Sequence, residues 1–445
     1  MPIKSQLDSL PTFSVHPGQF QILHSASAFR ECLLNAIKNA QKRIYLTVLY
    51  LENDEAGQEI LTAAYQAKQQ NPQLDITICV DWHRAQRGLI GANKSSGNAA
   101  FYQEFADQYT YKIPVYGIPV RNREVFGVLH LKGFIIDDTV IYSGASLNNI
   151  YLNYFDRYRF DRYHVIANHE LANSMVDFID QKMVNNPAVY DLSKPGLPTT
   201  KELKSRIKAF RAELSKARYQ GNNQVVNKNQ IGITPLVGAG KRNNLLNQQV
   251  INLLASAKSE LYLCTPYFNP PKDVIREVKR ALKRGIKVHI VVGDKTANDF
   301  FIPPDQPFKI IGGLPYLYEM TLRRFARVNE SYIASGDLSI HLWKHENNSY
   351  HLKGIWIDRQ SMLLTGNNIN PRAWALDLEN GLMIEDNDRQ LEGAFSAEFD
   401  NILIHAPRIE SYRQLEAIRN YPIKIKRLLK RIIRIRADRL LKRIL

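Results

Sequence analysis

The chain has few cysteines, no long hydrophobic run and much less acidic than basic charge. It contains 445 residues and three cysteines, Cys32, Cys79 and Cys264, whose wide spacing predicts neither a disulfide framework nor a close-spaced thiolate metal site. No stretch reaches the roughly 18 apolar residues of a membrane-spanning helix, and residues 1–15 contain no apolar core of a secretory signal. We therefore expect a protein of a reducing, cytoplasmic compartment that is soluble or lies on a membrane without crossing it.

The basic charge is concentrated near the C-terminus. The formal net charge is +16, and residues 421–445 alone contain ten Lys and Arg against one Asp, which is +9 of that total. Between the cations, apolar residues recur at roughly helical spacing: Ile425, Leu428, Leu429, Ile432, Ile435, Leu440, Leu441 and Ile444. This pattern predicts a basic amphipathic helix that associates with an anionic membrane surface at the inner face of the cell membrane. Ribosome or nucleic-acid association is the alternative for the same charges.

The chain contains two copies of one strand and helix pattern. A β-prone apolar segment at 43–50 aligns with one at 260–267, and each precedes a predicted helix and a second apolar segment, at 74–80 and 286–292. Segments this rich in apolar residues are typical of strands buried on both faces. The alternation predicts an α/β fold of two pseudo-symmetric halves, each with a mostly parallel central sheet flanked by helices.

The composition changes between the two copies and again near the end of the chain. The intervening segment is polar, rich in Pro and Asn and contains a charged helical pattern. We predict an N-terminal half at 1–190, a linker at 191–232, a C-terminal half at 233–405 and the basic tail at 406–445.

Each copy contains the pattern HxKxxxxD. It starts at His130 and Lys132 in the first copy and at His351 and Lys353 in the second. In an extended strand these pairs project from one face. A neutral imidazole is a competent nucleophile, and a nearby ammonium balances phosphate oxygens. One such match is weak evidence, but two matches at corresponding positions of a repeat predict a phosphoryl-transfer site rather than chance histidines.

This duplicated motif is similar to the signature of the phospholipase D superfamily, whose two halves form one active site. More narrowly, the chain resembles the bacterial phosphatidylserine synthases of that superfamily. The narrower resemblance is carried by VDWHRAQRG (80–88), VLHLKGFIIDD (128–138), YSGASLN (142–148), GDKTANDF (293–300), FKIIG (308–312), LPYLYE (314–319), YHLKG (350–354) and TGNNINPRAWALDLEN (365–380). It covers nearly the whole chain.

The resemblance implies transfer of a phosphatidyl group from CDP-diacylglycerol to L-serine through a phosphatidyl-histidine intermediate, with release of CMP. It implies His130 as nucleophile, because superfamily members usually use the first copy, and His351 as general acid and base. Lys132 and Lys353 are expected to hold the non-bridging oxygens. No cofactor and no metal are expected.

Further site residues follow from the same alignment. Asn148 and Asn370 are expected to assist the lysines, although the copies differ in spacing and Asn368 replaces the residue equivalent to Ser146. Glu379 is expected to accept the outer N–H of a catalytic histidine, and Asp161 is a weaker candidate for the same contact.

Two aspartates and two arginines complete the candidate set. Asp137 and Asp358 belong to the catalytic motif, but strand alternation predicts that they hold local structure rather than touch substrate. Arg84 and Arg87 follow a predicted strand, where α/β folds place ligand-binding loops. They are candidates for binding the CMP phosphate or anionic headgroups, and a solvated basic loop is the alternative.

Related activities remain open from the sequence alone. A cardiolipin synthase or a phospholipase D would use the same motif with another acceptor, and a nuclease of the superfamily would also be basic. A noncatalytic ribosome- or RNA-binding protein is disfavoured by the two intact His and Lys pairs.

Overall fold

The computed structural model describes residue 7 and residues 9–87, 97–303 and 305–434. The described residues form two compact units. Unit 1 draws on 1–248, 364–367 and 375–390, and unit 2 draws on 249–363, 368–374 and 391–445. The boundaries proposed above for the halves, linker and tail describe the sequence repeat and stay a prediction.

The elements are numbered here in chain order. The α-helices of four or more residues in the described ranges are α1 (Ala26–Asn39), α2 (Glu55–Gln70), α3 (Trp82–Ala85), α4 (Gly97–Gln108), α5 (His169–Ile179), α6 (Lys204–Leu214), α7 (Leu245–Ser256), α8 (Lys272–Lys283), α9 (Leu314–Val328), α10 (Glu330–Ser335), α11 (Pro371–Ala375), α12 (Glu392–Leu403) and α13 (Ile423–Arg434). The strands are β1 (Phe13–Val15), β2 (Phe20–Leu23), β3 (Arg43–Thr47), β4 (Asp75–Asp81), β5 (Val115–Ile118), β6 (Leu129–His130), β7 (Gly133–Ile136), β8 (Thr139–Ser143), β9 (Arg159–Phe160), β10 (Tyr163–Ala167), β11 (Tyr190–Asp191), β12 (Ile231–Ala239), β13 (Glu260–Thr265), β14 (Lys287–Gly293), β15 (Leu338–Trp343), β16 (Ser349–Tyr350), β17 (Gly354–Ile357), β18 (Ser361–Thr365) and β19 (Leu378–Glu385).

Unit 1 contains an eight-stranded sheet in the order β11-β5-β4-β3-β7-β8-β10-β2. The central strands β3, β4 and β5 are parallel. The ladders of β3 with β7, β7 with β8, β8 with β10, β10 with β2 and β5 with β11 are antiparallel. The sheet is therefore mixed.

A second group of strands in unit 1 positions the first motif. The long strand β12 pairs antiparallel with β1 and with β19, and β6 pairs in parallel with the start of β19. Residues from both ends of the sequence therefore meet beside β6.

Unit 2 repeats the central part of this arrangement. Strands β13, β14 and β15 are parallel neighbours, and β17 pairs antiparallel with β13 and with β18. Ile44 pairs with Ile136 in the first copy, and Leu261 pairs with Ile357 in the second. The predicted α/β repeat is confirmed at the level of strand register.

The prediction of a mostly parallel central sheet is wrong. Each motif strand, β7 or β17, turns back directly into the next strand through two or three residues. A connection this short joins only antiparallel neighbours, because a parallel connection needs a crossover of a dozen or more residues. The motif itself therefore makes the sheets mixed.

The helices cover the sheets through apolar faces. In α1, Phe29, Leu33 and Ile37 are buried at four-residue spacing, as expected for one face of a helix. Ser25 caps its N-terminus, because the hydroxyl accepts from the backbone amide of Ala28 at 3.1 Å. This N-cap explains why the helix begins at Ala26.

The described part of the basic tail is folded against unit 2. Ile425 and Leu429 of α13 are buried in a cluster with Tyr316 and Leu317 of α9 and with Tyr421. The described part of the tail thus contributes to the core of unit 2 through Ile425 and Leu429. Ile435, Leu440, Leu441 and Ile444 lie outside the described residues. Across the described ranges, no helix is long and apolar enough to span a membrane.

Candidate active site

His130 lies at the end of β6 and contacts a buried carboxylate. The backbone amide of Leu129 donates to Asp81 Oδ2 at 2.8 Å, which holds the strand in place. Nδ1 of His130 lies 2.9 Å from Oε2 of Glu379, and only 7% of the histidine surface is exposed. Because an ionised carboxylate only accepts hydrogen bonds, we assign the proton to Nδ1. Nε2 therefore carries the lone pair that a nucleophile needs.

Lys132 is buried and held by neutral groups. Its backbone amide donates to Oδ1 of Asn380 at 2.9 Å, and Nδ2 of Asn380 donates to its carbonyl oxygen at 2.8 Å. The Lys132 ammonium donates to the carbonyl oxygen of Ala145 at 3.1 Å and to Ser146 Oγ at 3.4 Å. These hydrogen bonds fix the position of the buried ammonium group.

The segment from His130 to Lys132 does not lie in one continuous strand. β6 ends at His130 and pairs with β19, whereas β7 begins at Gly133 and pairs with β3. Gly133 has φ +129°, and a Cβ there would lie 2.7 Å from Cε of Met175. The predicted single strand is therefore wrong, because the chain changes strand partners at a glycine that other residues replace only with strain.

The second copy has the same break but a different histidine contact. His351 and Lys353 lie between β16 and β17 and are 6% and 1% exposed. Nζ of Lys353 lies 2.5 Å from Nδ1 of His351. An ammonium only donates, so Nδ1 is the acceptor in this contact, and we assign the proton of the neutral ring to Nε2. The two histidines are therefore chemically unequal.

The motif aspartates bind backbone amides at the far ends of their strands. Asp137 accepts from the amides of 41–43 at 2.7 to 3.2 Å. Asp358 accepts from the amides of 258–260 at 2.8 to 2.9 Å. These amide bonds hold the pKa of Asp358 below its ordinary value against the opposing effect of burial. Both residues have positive φ, 49° and 53°, and their contacts are of the local structural kind that strand alternation predicts.

The candidate amides lie in turns that follow the motif strands. Oδ1 of Asn148 accepts from the amide of Tyr151 at 3.1 Å, and Oδ1 of Asn370 accepts from Ala373 at 2.9 Å. The carbonyl oxygen of Asn368 accepts from Thr265 Oγ1 at 2.7 Å. The equivalent contacts of Asn148 and Asn370 show that the alignment of the copies is structurally sound despite the difference in spacing.

Arg84 and Arg87 are each paired with a glutamate. Arg84 is 5% exposed, forms an ion pair with Glu52 and stacks on the ring of Tyr50 at 4.5 Å. Arg87 forms a bidentate pair with Glu124 at 2.5 Å. The alternative of a solvated basic loop is wrong for Arg84, because Glu52 balances its charge inside unit 1. Its predicted role in phosphate binding stays a prediction.

Three residues that support the first motif were not singled out from the sequence. Asp81 accepts from the amides of His83, Arg84 and Leu129, and burial raises its pKa to about 6. Asn380 follows Glu379 directly and clamps Lys132. Tyr219, in the predicted linker, accepts from Nδ2 of Asn380 at 3.1 Å. Asp81 and Asn380 lie in the family-like blocks 80–88 and 365–380, which was the available sequence signal for them. Tyr219 lies outside these blocks and far from the motif along the chain.

The sequence matches the family described as "Cardiolipin synthase, PLD-like domain" at residues 33–183 and 250–403. The two matched segments correspond to the two copies of the motif and together cover more than half of the chain. The chain therefore belongs to the phospholipase D-like family.

Particular members of this family are similar over the whole chain. It is 47% identical to the CDP-diacylglycerol-serine O-phosphatidyltransferases of Haemophilus influenzae and Escherichia coli, over 99% of this chain and 98% of each relative. A crystal structure of phosphatidylserine synthase from Haemophilus influenzae has a TM-score of 0.96 at 46% identity, covering 100% of this chain and 99% of that chain. A CDP-diacylglycerol-glycerol-3-phosphate 3-phosphatidyltransferase of Saccharomyces cerevisiae is 26% identical over 90% of this chain and 85% of its own length. The predicted fold of two phospholipase D-like halves is confirmed.

Proposed function

We propose that the protein transfers the phosphatidyl group of CDP-diacylglycerol to L-serine, releasing CMP and forming phosphatidylserine. The observation that carries this proposal is the 47% identity, over nearly the full length of both chains, to transferases named for this reaction. The buried His130 and Glu379 pair beside Lys132 supports it, because these groups suit attack on phosphorus.

In the first step, Nε2 of His130 attacks the phosphorus that joins diacylglycerol to CMP. The N–P bond forms, the P–O bond to CMP breaks, and CMP leaves with the electron pair of that bond. The imidazole becomes positively charged, and Glu379, 2.9 Å from Nδ1, stabilises that charge. For the acid step we propose that Lys353 turns from Nδ1 of His351 to the substrate phosphate and that the His351 ring carries a proton on both nitrogens. Nε2 then protonates the departing CMP phosphate, which leaves a neutral ring with its proton on Nδ1.

In the second step, the serine hydroxyl attacks the phosphatidyl-histidine. Neutral His351, which now has its lone pair on Nε2, removes the hydroxyl proton and becomes the imidazolium again. The O–P bond forms and the N–P bond to His130 breaks. Lys132 and Lys353 balance the charge on the non-bridging oxygens in both steps. Asn148, Asn368 and Asn370 are proposed to assist in holding the substrate.

The reaction is tested with purified protein and CDP-diacylglycerol in detergent micelles, with and without L-serine. We expect serine-dependent formation of labelled phosphatidylserine together with CMP. Transfer to water or to glycerol alone would instead indicate a phospholipase D or a cardiolipin synthase, and cleavage of DNA would indicate a nuclease.

The roles of the histidines are tested separately. His130→Ala and His351→Ala should each lower turnover by at least about a thousandfold. The first variant lacks the proposed nucleophile, and the second lacks the proposed acid and base. Labelled lipid should become trapped on the protein only when His130 is present. Trapping on the His130→Ala variant would reverse the assignment.

We also propose that unit 2 associates with an anionic membrane surface. Exposed cations line the outer face of α13: Lys424, Arg427, Lys430, Arg431 and Arg434. Two large apolar side chains are also exposed. Ile423 of α13 is 63% exposed, and Ile310, in the short 3-10 helix that precedes α9, is 73% exposed. Each cation near an anionic bilayer contributes about 1 kcal/mol, and the exposed isoleucines add apolar burial. The lipid substrate of the proposed reaction lies in such a bilayer.

Membrane association is tested by vesicle flotation at increasing anionic lipid content. Binding should rise with anionic lipid and fall in Ile310→Ser and in Lys424→Gln/Arg427→Gln/Lys430→Gln. Val225→Ser is the control, because Val225 is 79% exposed in unit 1. Binding that is independent of lipid charge would exclude the proposal, and co-sedimentation with ribosomes or RNA instead would favour the alternative partner.

A further inference from the structure

A large cavity lies in unit 1, outside the residues of the His130 motif. Its volume is about 900 Å³, within the range of small-molecule sites. Residues from five parts of the chain line it: 9–11, 120–121, 211 with 214–216 and 218–221, 239–243, and 375–376.

The polar part of this wall is basic. Six cations line the cavity, Arg121, Arg211, Lys216, Arg218, Lys241 and Arg242, and none of the described lining residues is acidic. Within the described part of the chain, the side chains of Arg211, Lys216, Lys241 and Arg242 form no ion pair with a carboxylate. These four side chains are exposed to solvent, so salt screens their mutual repulsion. Together they still create a positive potential that attracts an anion to this space.

The surroundings of Arg121 also indicate that the cavity would stabilise a bound anion. Burial, and next the neighbouring charge of Arg211, lower the pKa of Arg121 to about 10, while Asp377 acts in the opposite direction. Its Nε donates to the carbonyl oxygen of Leu376 at 3.4 Å. An anion beside Arg121 would relieve both the desolvation and the repulsion.

The cavity wall is also connected to the first motif. Tyr219 lines the cavity and accepts a hydrogen bond from Asn380, which holds the main chain of Lys132. Asp377, which follows the lining residue Leu376, accepts a hydrogen bond from the backbone amide of Val128 at 3.0 Å. Val128 lies two residues before His130. A ligand in the cavity would therefore contact elements that position the catalytic strand.

We propose that this cavity binds the diphosphate group of a nucleotide or nucleotide-bearing ligand. Six cations exceed what one phosphate requires, and arginine forms bidentate hydrogen bonds with phosphate oxygens. The remaining wall includes Leu10, Pro11, Val120 and Leu214, which provide apolar contact for a ring or ribose. The diphosphate has two possible sources: a free nucleoside diphosphate, or the CDP group of the lipid substrate, which rests on the proposed function.

The site is tested by calorimetric titration of the full-length protein with inorganic pyrophosphate, CDP and CMP. The test variant is Arg211→Gln/Lys241→Gln/Arg242→Gln, which removes three cavity charges. The control is Lys201→Gln/Lys204→Gln/Lys208→Gln, which removes three exposed charges that do not line the cavity. Loss of three cavity cations should raise the Kd for pyrophosphate at least tenfold, equivalent to about 1.4 kcal/mol, and the control should change it less than about twofold.

A charge-conserving variant separates binding from folding. Arg211→Lys/Lys241→Arg/Arg242→Lys should keep the affinity for pyrophosphate within about tenfold of the original protein and tighter than the neutral variant. CDP should bind more tightly than CMP because it has the second phosphate. Equal losses in the cavity and control variants, unchanged binding in the neutral variant, or equal affinity for CDP and CMP would each overturn the proposal.

Steady-state kinetics distinguish the two sources. A rise in KM for CDP-diacylglycerol that parallels the pyrophosphate Kd, with kcat unchanged, identifies the lipid substrate. An unchanged KM together with weakened CDP binding identifies a free nucleotide. If pyrophosphate binds as expected but no phosphatidylserine forms, the proposed reaction is wrong while the diphosphate site stands.

Discussion

Replacement of Glu379 by glutamine tests how the first histidine is activated. Glu379 is 1% exposed and its Oε2 lies 2.9 Å from Nδ1 of His130. Glu379→Gln retains the size of the side chain but removes the negative charge that stabilises the ring as it becomes cationic. The change should therefore affect the chemical step and leave the fold intact.

The size of the effect follows from the contact that is lost. A hydrogen bond to a charged group contributes about 1.5 to 3 kcal/mol, and about 1.4 kcal/mol corresponds to a factor of ten in rate. We therefore expect kcat to fall about 10- to 150-fold. The KM for CDP-diacylglycerol should change little, because Glu379 contacts the ring through Nδ1 and acts through His130.

The assay follows CMP release by purified protein in mixed micelles, with and without L-serine, together with the melting temperature. Glu277→Gln is the matched control, because Glu277 is also buried, at 4% exposure, and pairs with Arg280 in α8. The control should keep kcat within about twofold, since loss of a partly exposed ion pair affects stability only modestly. An unchanged kcat in Glu379→Gln, or an equal loss in Glu277→Gln, would refute the proposed activation of His130.

Three further predictions concern the supporting structure. Asp137→Ala should lower the free energy of unfolding by about 2 to 3 kcal/mol, since three backbone amides lose an ionised acceptor. Urea denaturation measures this, and a loss below about 0.5 kcal/mol would contradict the structural role. Burial raises the pKa of Asp81 to about 6, so the folded protein holds this proton more tightly than the unfolded chain and stability falls as pH rises from about 4 to 6. Asp81→Asn should flatten the pH dependence of the urea midpoint in that window, and an unchanged slope would show that Asp81 does not cause it. Turnover after EDTA treatment and gel filtration should stay within about twofold of that of the untreated protein. The reason is that the proposed steps use only imidazole, ammonium and carboxylate groups. A loss of turnover that Mg²⁺ restores would show that an ion is needed.

The sequence by itself determined the features that depend on short segments. The two apolar strands that begin at Arg43 and Glu260 were identifiable because their side chains are buried on both faces. The paired motifs were identifiable because the same residue types recur at matching positions. The resemblance to family motifs pointed to Glu379 as a histidine partner, and its Oε2 lies 2.9 Å from Nδ1 of His130, 249 residues away along the chain. Its role in the reaction stays a prediction.

Only the tertiary structure decided which distant segments meet. Strand β19 contributes Glu379 and Asn380 to the first motif because it pairs with β6 in unit 1. Asp81 and Tyr219 reach the same motif from a different strand and from the predicted linker. Local periodicity contains no information about such partners, since they depend on the path of the chain through the whole unit.

The basic tail and the basic cavity illustrate the same distinction. The spacing of apolar residues predicted an amphipathic helix within 421–445, but the burial of Ile425 and Leu429 on α9 became evident only in the folded unit. The cavity cations are scattered from Arg121 to Arg242. Composition determined that the chain is basic, whereas folding decided which charges line one cavity. Side chains from distant segments become neighbours only when their backbones pack together.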